Sequence, residues 1–392
     1  MMFCTVIAQN FLPYARVLAH TLREHHPDAE LDVLVVDAPA QTPLSGEPFR
    51  QTSLSELPLA REEIHRRQTL YDVTELASSL RGPLIAGLLA RSGGPVLYLD
   101  ADMLVLASLA DIEALALRHG IVLTPHAAVP LPYEPGGFGP EQQFMRASVF
   151  NGGFLAVSPA AADFLTWRDQ RAARDALVAP ERQLVTAQSW LALVPALFDH
   201  VVLRDRGVNL MGHGMADDDL TWRDDRPWIG DTPVRLFHFA GGFEPGRGWR
   251  KAPAWWPRLI DRPGIARLCQ DYEQRLLRAG FGAEKAGHQE GLDRFIRGAY
   301  RRALIETEAR GLAEPPNPFT HGQDAFTAWL LGPAWPGSAL SRYLAAVHTA
   351  RPDLRAAFPR VPGRDEQALL QWVADKYGGA LPAGLPTAVA LR

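Results

Sequence analysis

The chain has little cysteine, no long apolar run and no strong excess of either charge. Its 392 residues include only two cysteines, Cys4 and Cys269, which excludes a disulfide framework and a cysteine-rich metal site and predicts a reducing, cytoplasmic environment. No apolar run approaches the roughly 20 residues that a membrane-spanning helix requires. The first residues, Met1 to Gln9, carry no basic segment and predict no signal peptide. We expect a soluble protein, for which peripheral contact with the inner face of a membrane stays open.

The balance of charge argues against one class of partner. Forty Lys and Arg residues stand against 44 Asp and Glu residues, and the formal net charge is −4. The arginines are scattered and form no basic stripe, so the charge pattern gives no reason to expect nucleic-acid binding. Hydrophobic residues make up 47% of the sequence and charged residues 21%. These values are typical of a globular protein with one large or two modest domains.

The N-terminal pattern predicts an α/β fold. A short apolar run from Phe3 to Ala8, a helical stretch from Pro13 to His26 and an apolar run from Leu31 to Val36 form a βαβ unit. Such a unit predicts a mostly parallel sheet with a right-handed crossover and helices on both faces. Further helices are expected over 74–91, 161–174 and 182–197, and further strands over 96–106, 121–124, 154–157 and 235–239.

The signals change after about residue 258. Strand patterns fade there, and helical periodicity dominates over 265–278, 292–310, 325–331, 339–350 and 366–376. We therefore divide the chain into an α/β domain, residues 1–258, and a helical C-terminal region, residues 259–392. No internal repeat is evident.

The most informative stretch runs from Val96 to Leu106, an apolar strand that carries Asp100 and Asp102. Because side chains alternate along a strand, both carboxylates should point to the same side. Two carboxylates that close repel each other unless a cation lies between them. Magnesium and manganese ions favour such oxygen ligands and share them with substrate phosphates. The pair predicts a metal–diphosphate site at the carboxyl end of a strand, and the alternative is an ordinary acidic turn.

Three motifs occur in an order that resembles one enzyme family. Tyr98–Leu106 reads YLDADMLVL, Phe150–Phe154 reads FNGGF and His238–Gly241 reads HFAG. They resemble nucleotide-sugar-dependent glycosyltransferases of the GT-A fold, especially the retaining, glycogenin-like family eight, over roughly residues 3–250. The helical C-terminal region is similar to that of bacterial glycosyltransferases of surface-polysaccharide type. The resemblance implies a Rossmann-like GT-A domain, followed by a helical region for acceptor binding or oligomerisation.

The resemblance also implies a divalent metal, Mn²⁺ or Mg²⁺, held by Asp100, Asp102 and His238. Imidazole is a common metal ligand, and the bare backbone of Gly241 would let a phosphate approach closely. The alternative for His238 is a partly buried strand-end histidine with a local hydrogen bond. Binding of the nucleotide sugar is assigned to Ala8, Asn10, Asp37, Asp100, Ala101, Asp102, Gly241, Arg250 and Lys251.

Three residues are assigned to the catalytic, sugar-facing side of the site. Asn151 would contact sugar hydroxyls, although Asn-Gly is also a strong signal for a plain turn before the next strand. Arg81 lies on a predicted helix where related sequences carry lysine, and it would neutralise diphosphate, contact the sugar or simply lie exposed. Gln188 would contact the sugar, but the residue before it is Ala187, where the family usually has Asp. That departure puts the donor sugar, and activity itself, in question.

Two nucleotide-side assignments leave alternatives. Asn10 could instead cap the helix that follows it. The family carries a Lys-Pro-Trp segment that closes over phosphate, and its proline is absent here. Any of Arg247, Arg250 and Lys251 could therefore take the part of the basic residue.

The resemblance implies a metal-dependent hexosyltransferase that moves a sugar from a UDP-sugar, or a GDP-sugar, to a saccharide, glycolipid or glycan acceptor. Retention of anomeric configuration follows by analogy, since no side chain stands out as a nucleophile. One alternative is a phosphohydrolase of the haloacid dehalogenase type, whose Asp-x-Asp motif wants Thr or Val where Leu104 stands. The other is a nucleotide-sugar-binding relative without catalysis, suggested only by Ala187.

Overall fold

The computed structural model of the chain describes residues 1–37, 46–131, 140–215, 218–249, 262–282 and 294–377. The predicted donor-binding residues Arg250 and Lys251 lie outside these ranges. The chain divides into two compact units, one of residues 1–59 and 73–288 and the other of residues 60–72 and 289–392. The assignment of separate roles to residues 1–258 and 259–392 stays a prediction.

The strands of the described chain all belong to the first unit. They are β1 Met2–Ile7, β2 Leu31–Val35, β3 Arg50–Thr52, β4 Val96–Leu99, β5 Met103–Val105, β6 Ile121–Pro125, β7 Phe150–Val157, β8 Val178–Ala179, β9 Leu184–Val185, β10 Val201–Val202, β11 Leu220–Arg223, β12 Arg226–Ile229, β13 Thr232–Pro233, β14 Leu236–His238, β15 Phe243–Glu244 and β16 Gly248–Trp249.

The helices occur in both units. They are α1 Leu12–His25, α2 Arg61–Leu70, α3 Val73–Ser92, α4 Asp111–His119, α5 Pro140–Ala147, α6 Ala162–Asp175, α7 Val194–Leu197, α8 Pro263–Arg278, α9 Arg294–Arg310, α10 Pro318–His321, α11 Gln323–Leu331, α12 Arg342–Ala350, α13 Pro352–Ala357 and α14 Glu366–Tyr377. The second unit consists of α2 and α9 to α14. Within the described residues, the structure contains no helix with the length and apolar character needed to span a membrane.

A seven-stranded mixed sheet with the order β10-β6-β7-β4-β1-β2-β3 forms the centre of the first unit. Strands β1, β2, β3 and β4 pair in parallel, as do β6 and β10, whereas β7 runs antiparallel to both β4 and β6. Every residue of β4 and β7 is buried, as expected for central strands covered on two sides. The predictions of a mostly parallel sheet and of a helical C-terminal region are confirmed.

The predicted βαβ unit corresponds to β1, α1 and β2. Helix α1 has a proline in its first turn, where the missing N–H costs nothing, and it buries Val17, Leu18 and Leu22 in the core. Because β1 lies between β2 and β4, the carboxyl ends of these three parallel strands meet at one edge of the sheet. At this edge, Ala8 follows β1, Asp37 lies just beyond β2 and Asp100 follows β4.

Two local predictions are wrong. Residues 182–197 form no continuous helix, because Gln183 and Thr186 adopt left-handed backbone angles, with φ of 58° and 57°, that an α-helix cannot contain. Asn151-Gly152-Gly153 is not a turn before a strand, since all three residues lie inside β7 and are buried among its neighbours. The antiparallel pairing with β6, in which Pro125 lies opposite Phe150, extends the strand back to Phe150.

The stretch that carries Asp100 and Asp102 is not one continuous strand, so the alternation of side chains along a strand does not apply to these two residues. Strand β4 ends at Leu99, a turn closed by the Met103 N–H bonding to the Asp100 carbonyl at 3.2 Å follows, and β5 begins at Met103. Strand β5 leaves the main sheet and pairs antiparallel with β14. The two aspartates are therefore brought together by a turn rather than by a strand.

Candidate metal centre

Pairing of β5 with β14 brings a histidine to the two aspartates. In this register Met103 lies opposite His238, and the Phe239 N–H donates to the Asp102 carbonyl at 2.9 Å. The His238 Nε2 atom lies 3.2 Å from Asp102 Oδ1 and 3.9 Å from Asp100 Oδ2. One ligand atom of each residue lies within 4.8 Å of the others. The predicted trio is therefore assembled at one place.

The Asn209 side chain hydrogen-bonds to His238 on the side of the ring that faces away from the two carboxylates. The exposed fraction of His238 is only 3%, and its Nδ1 lies 3.0 Å from Asn209 Oδ1. Burial disfavours the charged imidazolium, but the carboxylates of Asp102 and Asp100 outweigh that effect and raise the pKa of His238 above its ordinary value. The imidazole therefore presents Nε2 to the carboxylates and Nδ1 to the protein interior.

Asp100 is oriented by two neighbours. The Tyr98 hydroxyl donates to Asp100 Oδ1 at 2.7 Å, and Arg81 Nη2 lies 2.9 Å from the same oxygen. Burial raises the pKa of Tyr98 well above its ordinary value, so its hydroxyl remains a donor. With Oδ1 engaged, the other oxygen, Oδ2, is the one that faces His238.

Arg81 lies on α3 and reaches into this centre rather than into solvent, so the interpretation as an exposed helical arginine is wrong. Its Nη1 donates to the Gly152 carbonyl at 2.7 Å, and its guanidinium carbon lies 4.7 Å from the centre of the Tyr98 ring. Burial opposes its charge, but Asp100 and its neighbours outweigh that effect and raise the pKa of Arg81. Its buried Nε has no hydrogen-bond partner among the described residues.

Two glycines let β7 pass against the centre without side chains. A Cβ atom on Gly153 would lie 2.6 Å from Asp100 Oδ2 and 2.7 Å from His238 Cε1, closer than real Cβ contacts allow. On Gly152 it would lie 3.1 Å from Gln188 Cβ and 3.2 Å from Gln188 Oε1. The bare backbone at residue 153 is therefore part of the geometry of the three ligands.

Asn151 and Gln188 lie beside these glycines. The Gly152 N–H donates to Gln188 Oε1 at 2.7 Å, and the Gly153 N–H donates to Asn151 Oδ1 at 2.9 Å. Ala187 is fully buried, and its N–H donates to Ser78 Oγ at 3.1 Å. The three predicted sugar-side residues, Arg81, Asn151 and Gln188, are thus gathered around Gly152 and Gly153, whereas the side chain at 187 is a buried methyl group.

The nucleotide-side residues form a separate group at the same sheet edge. Ala8 follows β1. The next residue, Gln9, donates from its backbone N–H to Asp37 Oδ1 at 2.8 Å, and this bond joins the ends of β1 and β2. Asn10 is exposed in a short 3₁₀ turn, and no side-chain hydrogen bond caps the helix that follows. The capping interpretation of Asn10 is therefore wrong, and its role in donor binding stays a prediction.

The segment after β14 turns sharply at glycine. Gly241 has a φ of 100°, a backbone conformation that side chains rarely adopt. Arg247 lies further along, with a side chain that is 77% exposed and 3.7 Å from Glu244. Ala101, between the two aspartates, is buried at 5% exposure and offers only its backbone to a ligand.

A group of polar residues next to the metal centre is absent from the residues that the sequence motifs indicate. Asn209, Thr124 and His126 are joined to Asn151 and His238 by hydrogen bonds, although up to 114 residues separate them along the chain. Asn209 is brought to His238 because the Leu210 N–H donates to the Leu236 carbonyl and the His238 N–H donates to the Leu210 carbonyl. No sequence motif carries this pairing.

His126 and His213 form a neutral pair next to Asn151. Their ring centres lie 5.8 Å apart, and the Phe144 ring lies 4.9 Å from each. Burial is the main cause that lowers the pKa of His126 to about 4 and that of His213 to about 3. Both imidazoles are therefore uncharged in the folded protein at neutral pH.

This pair predicts a loss of stability in mild acid. The unfolded chain takes up protons on these histidines below a pH of about 6.5, whereas the folded chain does so only near pH 4 and below, so stability is lost as the pH falls through that window. Between about pH 7.5 and pH 5, the free energy of unfolding should fall by about 2 kcal/mol more in the wild type than in His126→Gln. Urea titration at the two pH values measures this difference. Equal decreases in the two proteins would contradict the assignment.

Comparisons with known proteins give likenesses in structure. No protein-family model matches the chain, and no curated protein sequence matches it. Among solved structures, it is similar to the galactosyltransferase LgtC in complex with donor and acceptor sugar analogues, with 16% identity, a TM-score of 0.40, and coverage of 71% of this chain and 96% of the other.

Two other solved structures are similar to a comparable degree. One is a glycosyltransferase involved in glycosylation of the major capsid of PBCV-1, with 13% identity, a TM-score of 0.33, and coverage of 62% of this chain and 94% of the other. The other is the glycosyltransferase GlyE of Streptococcus pneumoniae, with 13% identity, a TM-score of 0.38, and coverage of 70% and 64%. At these identities and TM-scores, what those proteins bind or transfer does not carry over to this chain.

Proposed function

We propose that this chain is a metal-dependent glycosyltransferase of the GT-A type, which transfers a sugar from a nucleoside-diphosphate sugar to a saccharide, glycolipid or glycan acceptor. The main support is the convergence of Asp100, Asp102 and His238, whose ligand atoms lie within 4.8 Å of one another. They lie at the carboxyl edge of a mostly parallel sheet, where α/β folds bind their ligands. UDP-sugars are the favoured donors, and GDP-sugars are the second choice.

The three ligands suit a divalent cation such as Mn²⁺ or Mg²⁺. Two carboxylates and one imidazole leave coordination positions for water and phosphate oxygens, which is how such ions are commonly bound beside phosphates. A Cβ atom at Gly153 would fill the space next to two of the ligands, so the bare backbone preserves room there. When bound, the metal supplies positive charge against the charge that develops on the leaving diphosphate.

Arg81 adds a fixed positive charge from the protein itself. Its guanidinium is anchored by Asp100 at 2.9 Å and by the Gly152 carbonyl at 2.7 Å. An arginine held in this way keeps its charge and its orientation without further ordering when substrate binds. We assign it to stabilising the diphosphate rather than to the reacting carbon.

Gln188 and Asn151 are assigned to the sugar side of the site. Gln188 uses Oε1 to accept from the Gly152 N–H, which leaves its Nε2 group to donate to a sugar hydroxyl. No carboxylate is adjacent to Gln188, because Ala187 stands there. Retention of anomeric configuration, through attack by the acceptor hydroxyl on the face that the diphosphate leaves, follows from the family resemblance.

Ala8, Asn10 and Asp37 are assigned to the nucleotide. They lie at the ends of β1 and β2, strands adjacent to β4 in the sheet, and Gln9 joins the two ends through its bonds to Asp37. Cys4 and Cys269 are buried free thiols, which suits a reducing compartment such as the cytoplasm. A peripheral position at the inner face of a membrane would suit a lipid-linked acceptor.

Metal-dependent hydrolysis of a donor panel tests this proposal. We expect purified full-length protein with Mn²⁺ to release nucleoside diphosphate slowly from one UDP-sugar or GDP-sugar, because water can replace the missing acceptor. EDTA should stop the release, and the same donor with Mn²⁺ should raise the melting temperature, since a ligand stabilises the state that it binds. Donor binding without hydrolysis would indicate a relative without catalysis. Cleavage of p-nitrophenyl phosphate without donor binding would contradict the proposal and favour a phosphohydrolase.

A further inference from the structure

Asn209 occupies an unusual position behind the proposed metal centre. Its backbone φ is 56°, in the left-handed region that asparagine tolerates better than most residues. Its side chain is 3% exposed and contacts three other polar groups. The carboxamide lies 2.7 Å from Thr124 Oγ1, 3.2 Å from Asn151 Oδ1 and 3.0 Å from His238 Nδ1. Asn209 is therefore committed to the protein rather than to a ligand.

The donor and the acceptor of each hydrogen bond in this series can be assigned by starting at the Gly153 backbone N–H. A backbone N–H is always a donor, and the Gly153 N–H points at the Asn151 carboxamide at 2.9 Å. The Asn151 atom that receives it must be the oxygen. Because that oxygen is an acceptor, the Asn209 atom at 3.2 Å must be the nitrogen.

The remaining steps follow from the same reasoning. With Nδ2 of Asn209 directed at Asn151 and Thr124, its Oδ1 faces His238. An oxygen there only accepts, so His238 Nδ1 carries a proton. Nε2, 3.2 Å from Asp102 Oδ1, shares a proton with that carboxylate when no metal is bound, and it is the ring atom whose lone pair would bind a metal in place of that proton.

We infer that Asn209 is a positioning residue for the metal centre. The Gly153 N–H fixes the orientation of Asn151, and Asn151 fixes that of Asn209. Asn209 in turn accepts from His238 Nδ1, so that Nε2 is the ring atom that can bind a metal. This inference rests on the proposed function only in naming the metal, because the hydrogen bond between His238 Nδ1 and Asn209 Oδ1 is present in the metal-free protein. It also assigns Asn151 a second role. Both lone pairs of its oxygen are engaged, by Gly153 and Asn209, and its Nδ2 faces His126 at 3.3 Å.

The arrangement makes metal binding and the sugar side of the site interdependent. Gly153 and Asn151 belong to β7, whereas His238 belongs to β14, and Asn209 is the described side chain that bonds to both Asn151 and His238. Outer-shell partners of metal-binding histidines commonly fix the ring in this way, and their loss costs about 10- to 100-fold in metal affinity.

Two variants of Asn209 test the inference. Asn209→Gly removes the side chain at a backbone angle that glycine adopts without strain, and it should weaken binding of Mn²⁺ alone about 10- to 100-fold. Asn209→Asp keeps an acceptor for His238 Nδ1, so Mn²⁺ affinity should remain within about threefold of wild type. Donor hydrolysis should still fall in this variant, because a carboxylate oxygen repels Asn151 Oδ1. Calorimetric titration of the full-length protein measures the affinities.

A spectroscopic measurement reads the hydrogen bond at His238 Nδ1 directly. Histidine-selective ¹⁵N spectra of the metal-free protein should show Nδ1 of His238 protonated and hydrogen-bonded in the wild type and in Asn209→Asp. In Asn209→Gly the Nδ1 signal should lose the shift that this hydrogen bond causes. Val208→Ala, a truncation of the buried neighbour, controls for general loosening of the segment and should match the wild type in both measurements.

The outcomes separate this inference from the proposed function. If the wild type binds no Mn²⁺, the metal centre and the proposed function fail, whereas the ¹⁵N measurement still tests Asn209. If the wild type binds Mn²⁺ but Asn209→Gly binds it equally well with an unchanged His238 Nδ1 signal, the inference about Asn209 is overturned and the function stands. Equal losses in Val208→Ala and Asn209→Gly would also overturn it.

Discussion

Replacing Asp102 by asparagine should lower Mn²⁺ affinity by at least about 100-fold and abolish metal-dependent donor binding, because a ligand contributes more than the outer-shell groups whose loss costs 10- to 100-fold. Asp102 Oδ1 lies 3.2 Å from His238 Nε2, closer than Asp100 Oδ2 at 3.9 Å. Asparagine keeps the size and one oxygen but removes the charge, so the loss reports on the anionic ligand rather than on packing. Titration with Mn²⁺, followed by donor binding at saturating Mn²⁺, measures both effects.

An exposed aspartate provides the matched control. Asp231, in the same unit, has a fully exposed side chain in the loop of the β12–β13 hairpin. Asp231→Asn makes the same chemical change without touching the centre, and Mn²⁺ affinity should stay at the wild-type value. If Asp102→Asn retains metal-dependent donor binding, the trio is not the metal centre. The positions of Asp100 and His238 would then need another explanation, such as a buried ion pair.

The sequence predicted most of the elements that carry this site. The βαβ pattern placed Ala8 and Asp37 at strand ends, and the apolar run before Asp100 predicted the strand β4. These predictions depend on local periodicity and on the rule that parallel strands end at one edge. The proximity of His238 came from family resemblance alone. In the structure its cause is the β5–β14 pairing, which joins segments more than 130 residues apart.

Predictions failed where tertiary contacts overrode local signals. Asn151-Gly152-Gly153 carries a turn signal, yet it forms part of a buried strand because β4 and β6 pair with β7 on both sides. Residues 182–197 carry apolar helical periodicity, yet Thr186 is held in a left-handed angle, and its N–H donates to the Leu177 carbonyl. A segment flanked by such long-range bonds does not follow its own propensity.

The polar residues behind the centre were not predictable at all from the sequence. Asn209 belongs to no motif and follows a strand of only two residues, and its contact with His238 depends on two backbone bonds between Leu210 and strand β14. Tyr98 stood inside a quoted motif, but its hydroxyl bond to Asp100 depends on the turn that follows β4. Outer-shell positions of this kind are set by the packing around a site, and the sequence pattern of the ligands does not encode them.

Gly153→Ala should disrupt the metal centre without removing any ligand. The new Cβ would lie 2.6 Å from Asp100 Oδ2, 2.7 Å from His238 Cε1 and 2.8 Å from Asn151 Oδ1. All three groups are held by other bonds, so they cannot all move away. We expect Mn²⁺ affinity to fall at least about tenfold and the free energy of unfolding to fall by about 1–3 kcal/mol, the usual cost of overpacking. Metal titration and urea unfolding measure the two quantities.

Two other glycines make this prediction specific. Gly94 precedes β4, and a Cβ atom added there would meet no described atom within 4 Å, so Gly94→Ala should change neither quantity. The three atoms nearest to a Cβ on Gly152 all belong to Gln188, the closest at 3.1 Å, and Gly152→Ala should therefore keep Mn²⁺ affinity while lowering donor hydrolysis. The graded result would show that β7 shapes the metal side at Gly153 and the sugar side at Gly152. Wild-type Mn²⁺ affinity in Gly153→Ala would instead mean that the ligands do not need the space that this glycine leaves.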